Sequence, residues 1–420
     1  MISLITFISC YVLFVVAGQK RSLIALIGAL VLILTQAITP IAALNFVHWN
    51  VIGLFFGTLI LAELFMQSAM PAVMAEWVVD HMKTARGAIV AICALSSVLS
   101  IFVENVAVVL LIAPVALKLC EKIKISPIKP IIYIAIFSNI QGTATLIGDP
   151  PSMILASYLN MNFVEFFVYQ GKLSIFFFIQ AGALAGLIAV YWMTRKHTEP
   201  IQLLTIERPR SYIPSFLLVL LVILLTLATG IDPEFRWFAG TASMILAFIG
   251  LVWYIAGPHW TPVKELVYQL DWETTFFLIG MFILVGALIQ ANWIETLSMA
   301  VTPYLGSNPV SAFCLIILFS IFVSAFVDNV PYLLAMIPVV QNISELLNAP
   351  EPLLLFALLI GSCLGGNITP IGASANIVAV GILRKHGHPV SFGGFMREGL
   401  ILTAITVLVS SVTLWWVWSP

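Results

Sequence analysis

Charge is scarce in this chain. Of 420 residues only 9% are Asp, Glu, Lys or Arg, while 61% are hydrophobic and the mean hydropathy is +1.10. A water-soluble domain carries roughly 25% charge, so the composition excludes one. Histidine is sparse too. The six (His48, His81, His197, His259, His386 and His388) fall near the ends of apolar runs, and neither HExxH nor GxSxG occurs. An intramembrane hydrolase therefore has no support. The five cysteines (Cys10, Cys93, Cys120, Cys314 and Cys363) lie in or beside apolar segments without CxxC or Cys/His spacing. They read as small buried hydrophobes, with no disulfide or metal site. A nucleotide-binding loop is also missing, so ATP enters only through a separate ATPase subunit, and no cofactor or nucleic acid partner is expected. The first residues, MISLITFISCYVLFVVAG, lack a basic flank and a small-residue cleavage site. They read as a first span and not a signal peptide.

What is present is apolar sequence in lengths of about 20 residues, enough to cross hydrocarbon as helix. Ten crossings are expected, at about 2–18, 22–42, 50–68, 129–160, 172–194, 212–230, 237–256, 273–291, 352–383 and 397–417. Two further apolar segments, 86–117 and 309–342, carry a polar break near the middle, at Glu104-Asn105 and Asp328-Asn329. A re-entrant hairpin fits each, because a non-helical tip is tolerated at depth where it lines a cavity in protein. Segments 69–85 and 292–308 hold too few apolar residues to span. Each has a tryptophan (Trp77, Trp293) suited to an amphipathic arm at the interface.

With the N-terminus outside, sixteen of the eighteen Lys and Arg residues face the cytoplasm, and only Lys172 and Arg236 face out. This agrees with the positive-inside rule. It predicts a multi-pass protein of the cell (inner) membrane, in contact with lipid and with both termini outside. No Lys or Arg is expected at mid-membrane depth, so a multiply charged anion would lack a fixed countercharge.

One motif pair occurs twice. FVENVAVVLLIAP (102–114) precedes SNIQGTATLIGDPPSMI (138–154), and FVDNVPYLLAMIP (326–338) precedes SCLGGNITPIGASANIV (362–378). A gapless shift of 224 residues superimposes Asn105 on Asn329, Gly142 on Gly366, Thr145 on Thr369 and Gly148 on Gly372. Three spans, a hairpin and two spans in each half make five crossings, an odd number, so the second half inserts upside down. The reading is an all-α polytopic membrane protein with an inverted repeat. The first repeat covers 1–194, the second 212–420, and 195–211 is a cytoplasmic linker. One hairpin enters from the cytoplasm and the other from outside, and the helices at 129–160 and 352–383 are broken.

A duplicated, Gly/Pro-interrupted segment inside apolar helices points to a transport site. Gly142 and Gly148 permit unwinding, and Pro150-Pro151 cannot continue a hydrogen-bonded helix. Freed carbonyls and the Thr143 and Thr145 hydroxyls suit a hard cation. Gly366, Asn367, Thr369, Pro370, Gly372 and Asn376 repeat the arrangement. A sodium ion could thus sit at Asn105 with the carbonyls of 142–148, and another at Asn329 with those of 366–372. The restarted helices offer N–H groups to a polar solute or anion. Of the acids at depth, Glu104 and Asp328 occupy matching positions, Asp149 is matched by Ala373, and Glu63 has no acidic counterpart. Such carboxylates mark ion paths or proton relays, or else bond to backbone freed at a helix break. Asp149, Glu104 and Asp328 are the candidates for the coupling proton.

Segments 100–160 and 310–385 resemble the signature regions of the ArsB/NhaD group of the ion-transporter superfamily. Within it, they are most similar to the P protein (pink-eyed dilution) branch and its bacterial relatives with a citrate-transporter-like domain. The resemblance implies a homodimer in which a scaffold holds a mobile domain of hairpins and broken helices, working by an elevator stroke. It implies ion-coupled secondary transport of a small inorganic solute, by sodium/proton antiport or arsenite-type efflux. The separate ATPase subunit belongs to the arsenite case only. Sodium-coupled symport of an anion or dicarboxylate is the alternative, and a channel is a further one. Distant sodium/dicarboxylate symporters carry Ser-Asn-Thr at each tip, where this chain has Glu104-Asn105-Val106 and Asp328-Asn329-Val330.

Overall fold

The computed structural model describes residues 1–16, 20–200, 208–257, 260–305 and 308–420. Among these the one sheet is a two-strand hairpin, β1 (Val168–Tyr169) with β2 (Lys172–Leu173). The rest of the regular structure is helical.

The helices follow the sequence duplication. α3 (Pro40–Phe46), α4 (Trp49–Gln67) and α5 (Met70–Asp80) correspond under the 224-residue shift to α13 (Val263–Gln269), α14 (Trp272–Gln290) and α15 (Trp293–Leu305), within one or two residues at each end. α6 (Ala85–Ser100) and α7 (Asn105–Lys122) land on α16 (Pro309–Ser324) and α17 (Asn329–Leu346) with no offset. α8 (Ile128–Gly142), α9 (Pro150–Leu159) and α10 (Ile175–Met193) match α18 (Glu351–Gly365), α19 (Ser374–Lys385) and α20 (Phe392–Trp418) more loosely. The remaining helices are α1 (Ile2–Val16), α2 (Arg21–Leu34), α11 (Ile213–Ile231) and α12 (Phe238–Ala256).

Among the described residues, seven helices are long and apolar enough to cross a membrane: α4, α10, α11, α12, α14, α18 with its continuation to Ile368, and α20. The other expected crossings are built from shorter pieces. The span expected at 22–42 ends as helix at Leu34, where Gln36 takes a positive φ of 57° and Pro40 opens α3. That expected at 129–160 divides into α8 and α9, and that at 352–383 into α18 and α19. Residues 17 and 18 of the first lie outside the described residues, as do 201–207 of the linker. The described linker ends are tied down. The Ala85 and Arg86 N–H groups donate to the carbonyls of Glu199 and His197, and the Arg210 N–H to that of Ser68, each at 2.9 Å.

The helix ends obey local chemistry. Thr84, Asn308 and Asp271 cap α6, α16 and α14 by accepting from the N–H groups of Gly87, Val310 and Thr274. Pro150 and Pro151 occupy the first turn of α9, where a missing N–H costs nothing.

Packing separates the helices into two groups. In one, α4 lies along α12, α2 along α14, and α1 and α11 fill the sides. In the other, α6 packs on α8, α16 on α18, α10 on α20, and the halves interlock where α7 and α8 meet α19 and where α17 and α18 meet α9. The groups touch where α4 meets α7 and α9 and where α14 meets α17, with α5 and α15 beside them. Burial varies within each group: 94% of the best apolar window of α18 is buried but 33% of that of α20, and 72% of that of α14 but 33% of that of α11.

Candidate functional site

Each helix break is sewn to the preceding hairpin by the same bonds in both halves. The Ser100 hydroxyl donates to the Ser138 carbonyl at 2.7 Å, as Ser324 does to Ser362. The Thr145 hydroxyl donates to the Ile101 carbonyl at 2.7 Å, and Thr369 does the same to Ala325. Ser152 holds the carbonyls of Gly142 and Thr143 at 3.4 and 3.1 Å, while Asn376 holds those of Gly366 and Thr369, both at 3.0 Å. Unwinding a helix orphans its carbonyls, and these hydroxyls and amides satisfy several of them. Glu104 and Asp328 share one backbone conformation (φ −52°, ψ 142° and φ −52°, ψ 138°), each the residue before its helix. Asp149 and Ala373 likewise match in extended geometry.

A chain of amides runs between the halves. Ser100 donates to Asn105 Oδ1 at 2.6 Å, Asn105 Nδ2 to Asn139 Oδ1 at 2.9 Å, and Asn139 Nδ2 to Asn367 Oδ1 at 3.0 Å. The amides of both tip asparagines, Asn105 and Asn329, also interact with the carboxyl of Asp149. The acid without a symmetry mate thus lies between the two tips. Asn367 Nδ2 and Asn376 Oδ1 are buried without a partner among the described residues, an unused donor and an unused acceptor in the second break.

Both tips open on a cavity of about 860 Å³ walled by the two packing groups. Glu104, Asn105, Asn139, Asp149, Asp328, Asn329 and Ser374 come from the interlocked group. Arg21, Glu63, Gln67, Asp271 and Thr274 come from the other, and Arg210 from the linker end. Glu63 is buried in α4 and bonded to Gln67 at 2.9 Å.

Six of the polar residues singled out from sequence (Glu63, Glu104, Asn105, Asp149, Asp328 and Asn329) line this cavity. Gly148 borders a small adjoining void with Glu104 and Asp149. Thr143, Thr145, Gly366, Asn367, Thr369, Gly372 and Asn376 are buried behind the wall, where the three threonine hydroxyls and the carbonyls of Gly366 and Thr369 are hydrogen-bonded in holding the breaks. One expectation is overturned. Basic residues were placed only at flanks, yet the Arg21 guanidinium, from the first residue of α2, forms an ion pair with Asp328 at the second tip. The physical reason is reach: a long, flexible side chain at a helix start extends into the cavity. Sequence reasoning also passed over Asn139, which stands in the quoted SNIQG break, and the Asp271–Thr274 cap.

Comparison with known proteins places this arrangement. The model of the CitMHS citrate transporter family matches twice, over residues 11–247 and 203–420. The chain belongs to this family. Among CitMHS relatives, an uncharacterized transporter of Mycobacterium bovis is 30% identical over 431 residues, covering 97% of this chain and 96% of that one. The P protein of Sus scrofa is 26% identical, covering 95% of this chain and 57% of its own length. In fold, the chain is similar to the YdaH transporter of Alcanivorax borkumensis, with a TM-score of 0.63 at 15% identity over 89% of this chain and 86% of that one. It is also similar to MtrF of Neisseria gonorrhoeae, with a TM-score of 0.61 at 12% identity over 93% and 85%. This family and these neighbours are transporters, not enzymes, and the chain is a multi-pass membrane transporter.

Proposed function

We propose that this transporter is a secondary active carrier of a small inorganic solute, driven by protons or sodium through alternating access. The observation that carries the reading is the convergence of two hairpin tips and an unpaired-by-symmetry acid, Asp149, on one cavity between two helix groups. A carboxyl that both tips contact can report its protonation or ion occupancy to both at once, which coupling requires. Sodium/proton antiport and arsenite-type efflux suit a wall carrying Glu63, Glu104, Asp149 and Asp328.

The thin contact between the two groups supports an elevator stroke, with α6–α10 and α16–α20 as the moving part and α1–α4 with α11–α14 as the scaffold. In this reading the halves insert as inverted repeats, the linker and cavity mouth face the cytoplasm, both termini lie outside, and the scaffold forms a homodimer in the cell membrane. Sodium at Asn105 and Asn329, with the carbonyls of the two breaks, is the alternative driving ion.

One observation favours a second reading. Arg21 and Arg210 on the wall supply the positive charge that symport of an anion or dicarboxylate with sodium needs. Flux in proteoliposomes decides between them. Arsenite, sodium, phosphate and dicarboxylates are offered under imposed proton or sodium gradients. Saturable counterflow of a cation or neutral solute supports the first reading, and sodium-dependent uptake of a dicarboxylate replaces it with the second. Unitary currents without counterflow would indicate a channel.

A further inference from the structure

The Arg21 side chain is held from one side and reaches to the other. On the α2–α14 side, the Ser22 N–H and hydroxyl donate to Glu273 at 2.9 and 2.6 Å, clamping the start of α2 to the start of α14. Arg21 itself donates to the Thr274 hydroxyl at 3.3 Å and lies over the Phe277 ring at 5.3 Å. Its remaining arm crosses to Asp328, which belongs to the other packing group. The pair is not sealed, for the two side chains keep 21% and 28% of their surface on the cavity. The first half has no counterpart: the shift puts Ile245 at the position of Arg21, and Glu104 forms no ion pair among the described residues.

We propose that Arg21 is a tethered cation that occupies the carboxylate of Asp328 and latches the second hairpin to the α2–α14 unit, so that the hairpin group moves only after this pair opens. The inference rests on the reading of the hairpins as the moving part. The guanidinium is fixed on the scaffold by a hydrogen bond, a ring and the neighbouring clamp, so its position is set before Asp328 arrives. Asp271 and Glu273 also face it, along with Glu104. Arg21 released from Asp328 therefore stays among carboxylates and does not have to enter the bilayer. A solute cation at Asp328 competes with Arg21 for the same oxygen atoms and opens the latch. Charge neutrality of the tip is kept in both states, once by the protein's own cation and once by the ligand.

A labelling experiment tests this apart from transport. Four of the five native cysteines are buried, so Cys314→Ser gives a quiet background. Leu110→Cys then places a thiol on α7, 49% exposed and on the cavity wall. Its reaction with a charged, impermeant thiol reagent is followed in membrane vesicles of each orientation, using the face from which the parent reacts. Arg21→Gln should lower the rate roughly threefold or more, because the latched state loses population. Arg21→Lys, which keeps the charge, should restore it. If Arg21→Gln does not fold, Asp328→Asn opens the same pair from the other side. Labelling at the parent rate in the Gln or Asn variant overturns the latch, as does a fall that Arg21→Lys does not reverse. Absence of flux in every gradient would sink the transport reading instead, and the labelling comparison would still decide the latch.

Discussion

The side-chain amide of Asn139 donates to Asn367 Oδ1 at 3.0 Å, joining the break of one half to the break of the other. Both residues are buried, and Asn139 accepts in turn from Asn105. Replacing Asn139 by Ala would strand two buried polar groups, at a cost of about 1–3 kcal/mol for each one left unsatisfied. The variant should show a lower unfolding midpoint in detergent, and Asn139→Gln should not rescue it, because one more methylene moves the amide out of register with both Asn105 and Asn367. An unchanged midpoint for the Ala variant would mean that the amide chain contributes nothing to holding the halves together.

The tip asparagines separate function from stability. Asn105→Ala and Asn329→Ala each remove an amide that interacts with Asp149. Both residues line the cavity, so the loss creates no void in the dry interior. Transport should fall at least tenfold with expression and oligomeric state near normal. Near-normal flux in both variants would reduce the pair to packing residues.

Much of this architecture was legible in the sequence, because the duplication is visible as identical residue types at one spacing. Asn105 and Asn329, Gly142 and Gly366, Thr145 and Thr369 announce the breaks, and α6, α7, α16 and α17 obey the shift without offset. Arg21 was hidden for the opposite reason: it has no counterpart, and a basic residue at the start of an apolar helix reads as an interfacial anchor. Its partner lies 307 residues away, a distance no local pattern bridges. The threonines carry a related ambiguity. A hydroxyl beside a helix break can face a cation or satisfy the break, and only the three-dimensional arrangement shows Thr145 and Thr369 bonded to the preceding hairpin.

The glycines of the breaks give a sharper structural prediction. A methyl group on Gly148 would meet the carbonyl oxygens of Gly142 and Ser100 at 2.6 and 2.9 Å, and one on Gly372 those of Gly366 and Ala325 at 2.5 and 2.9 Å. These neighbours are backbone and cannot swing away. Gly148→Ala and Gly372→Ala should each push a break off its hairpin, lowering thermal stability and abolishing flux. Gly381, with nothing within 4 Å of an added methyl, is the control and should tolerate Ala. Normal flux in either break variant would show that the close approach is dispensable.

Orientation is testable at four exposed or terminal positions. Single cysteines at Lys122 and Lys385 should react from the cytoplasmic face, and those at Glu345 and Ser419 from outside. The first three side chains are exposed, so reactivity reads the side of the membrane and not burial. Cytoplasmic labelling at both Lys122 and Glu345 would rule out insertion of the second half upside down.

Coupling should discriminate among the acids. Asp149→Asn, Glu104→Gln and Asp328→Asn each keep shape and most hydrogen bonds but cannot exchange a proton. Asp328 has Arg21 as its internal counter-ion, and Glu104 shares its backbone geometry with Asp328, so both read as parts of the frame common to the two halves. Asp149 alone lacks a symmetry mate, lines the cavity and is contacted by both tip amides. A proton arriving there changes what Asn105 and Asn329 face at the same moment, whereas a proton on either tip acid changes one hairpin. Asp149→Asn should therefore lose solute accumulation driven by a pH gradient while retaining solute exchange, which needs the site but no proton. Glu104→Gln should lower both together. The measurement is uptake against exchange in proteoliposomes, with a proton gradient as the sole driving force. If all three variants accumulate solute normally under that gradient, the proton travels through Glu63 or the driving ion is sodium, and Asp149 has another role.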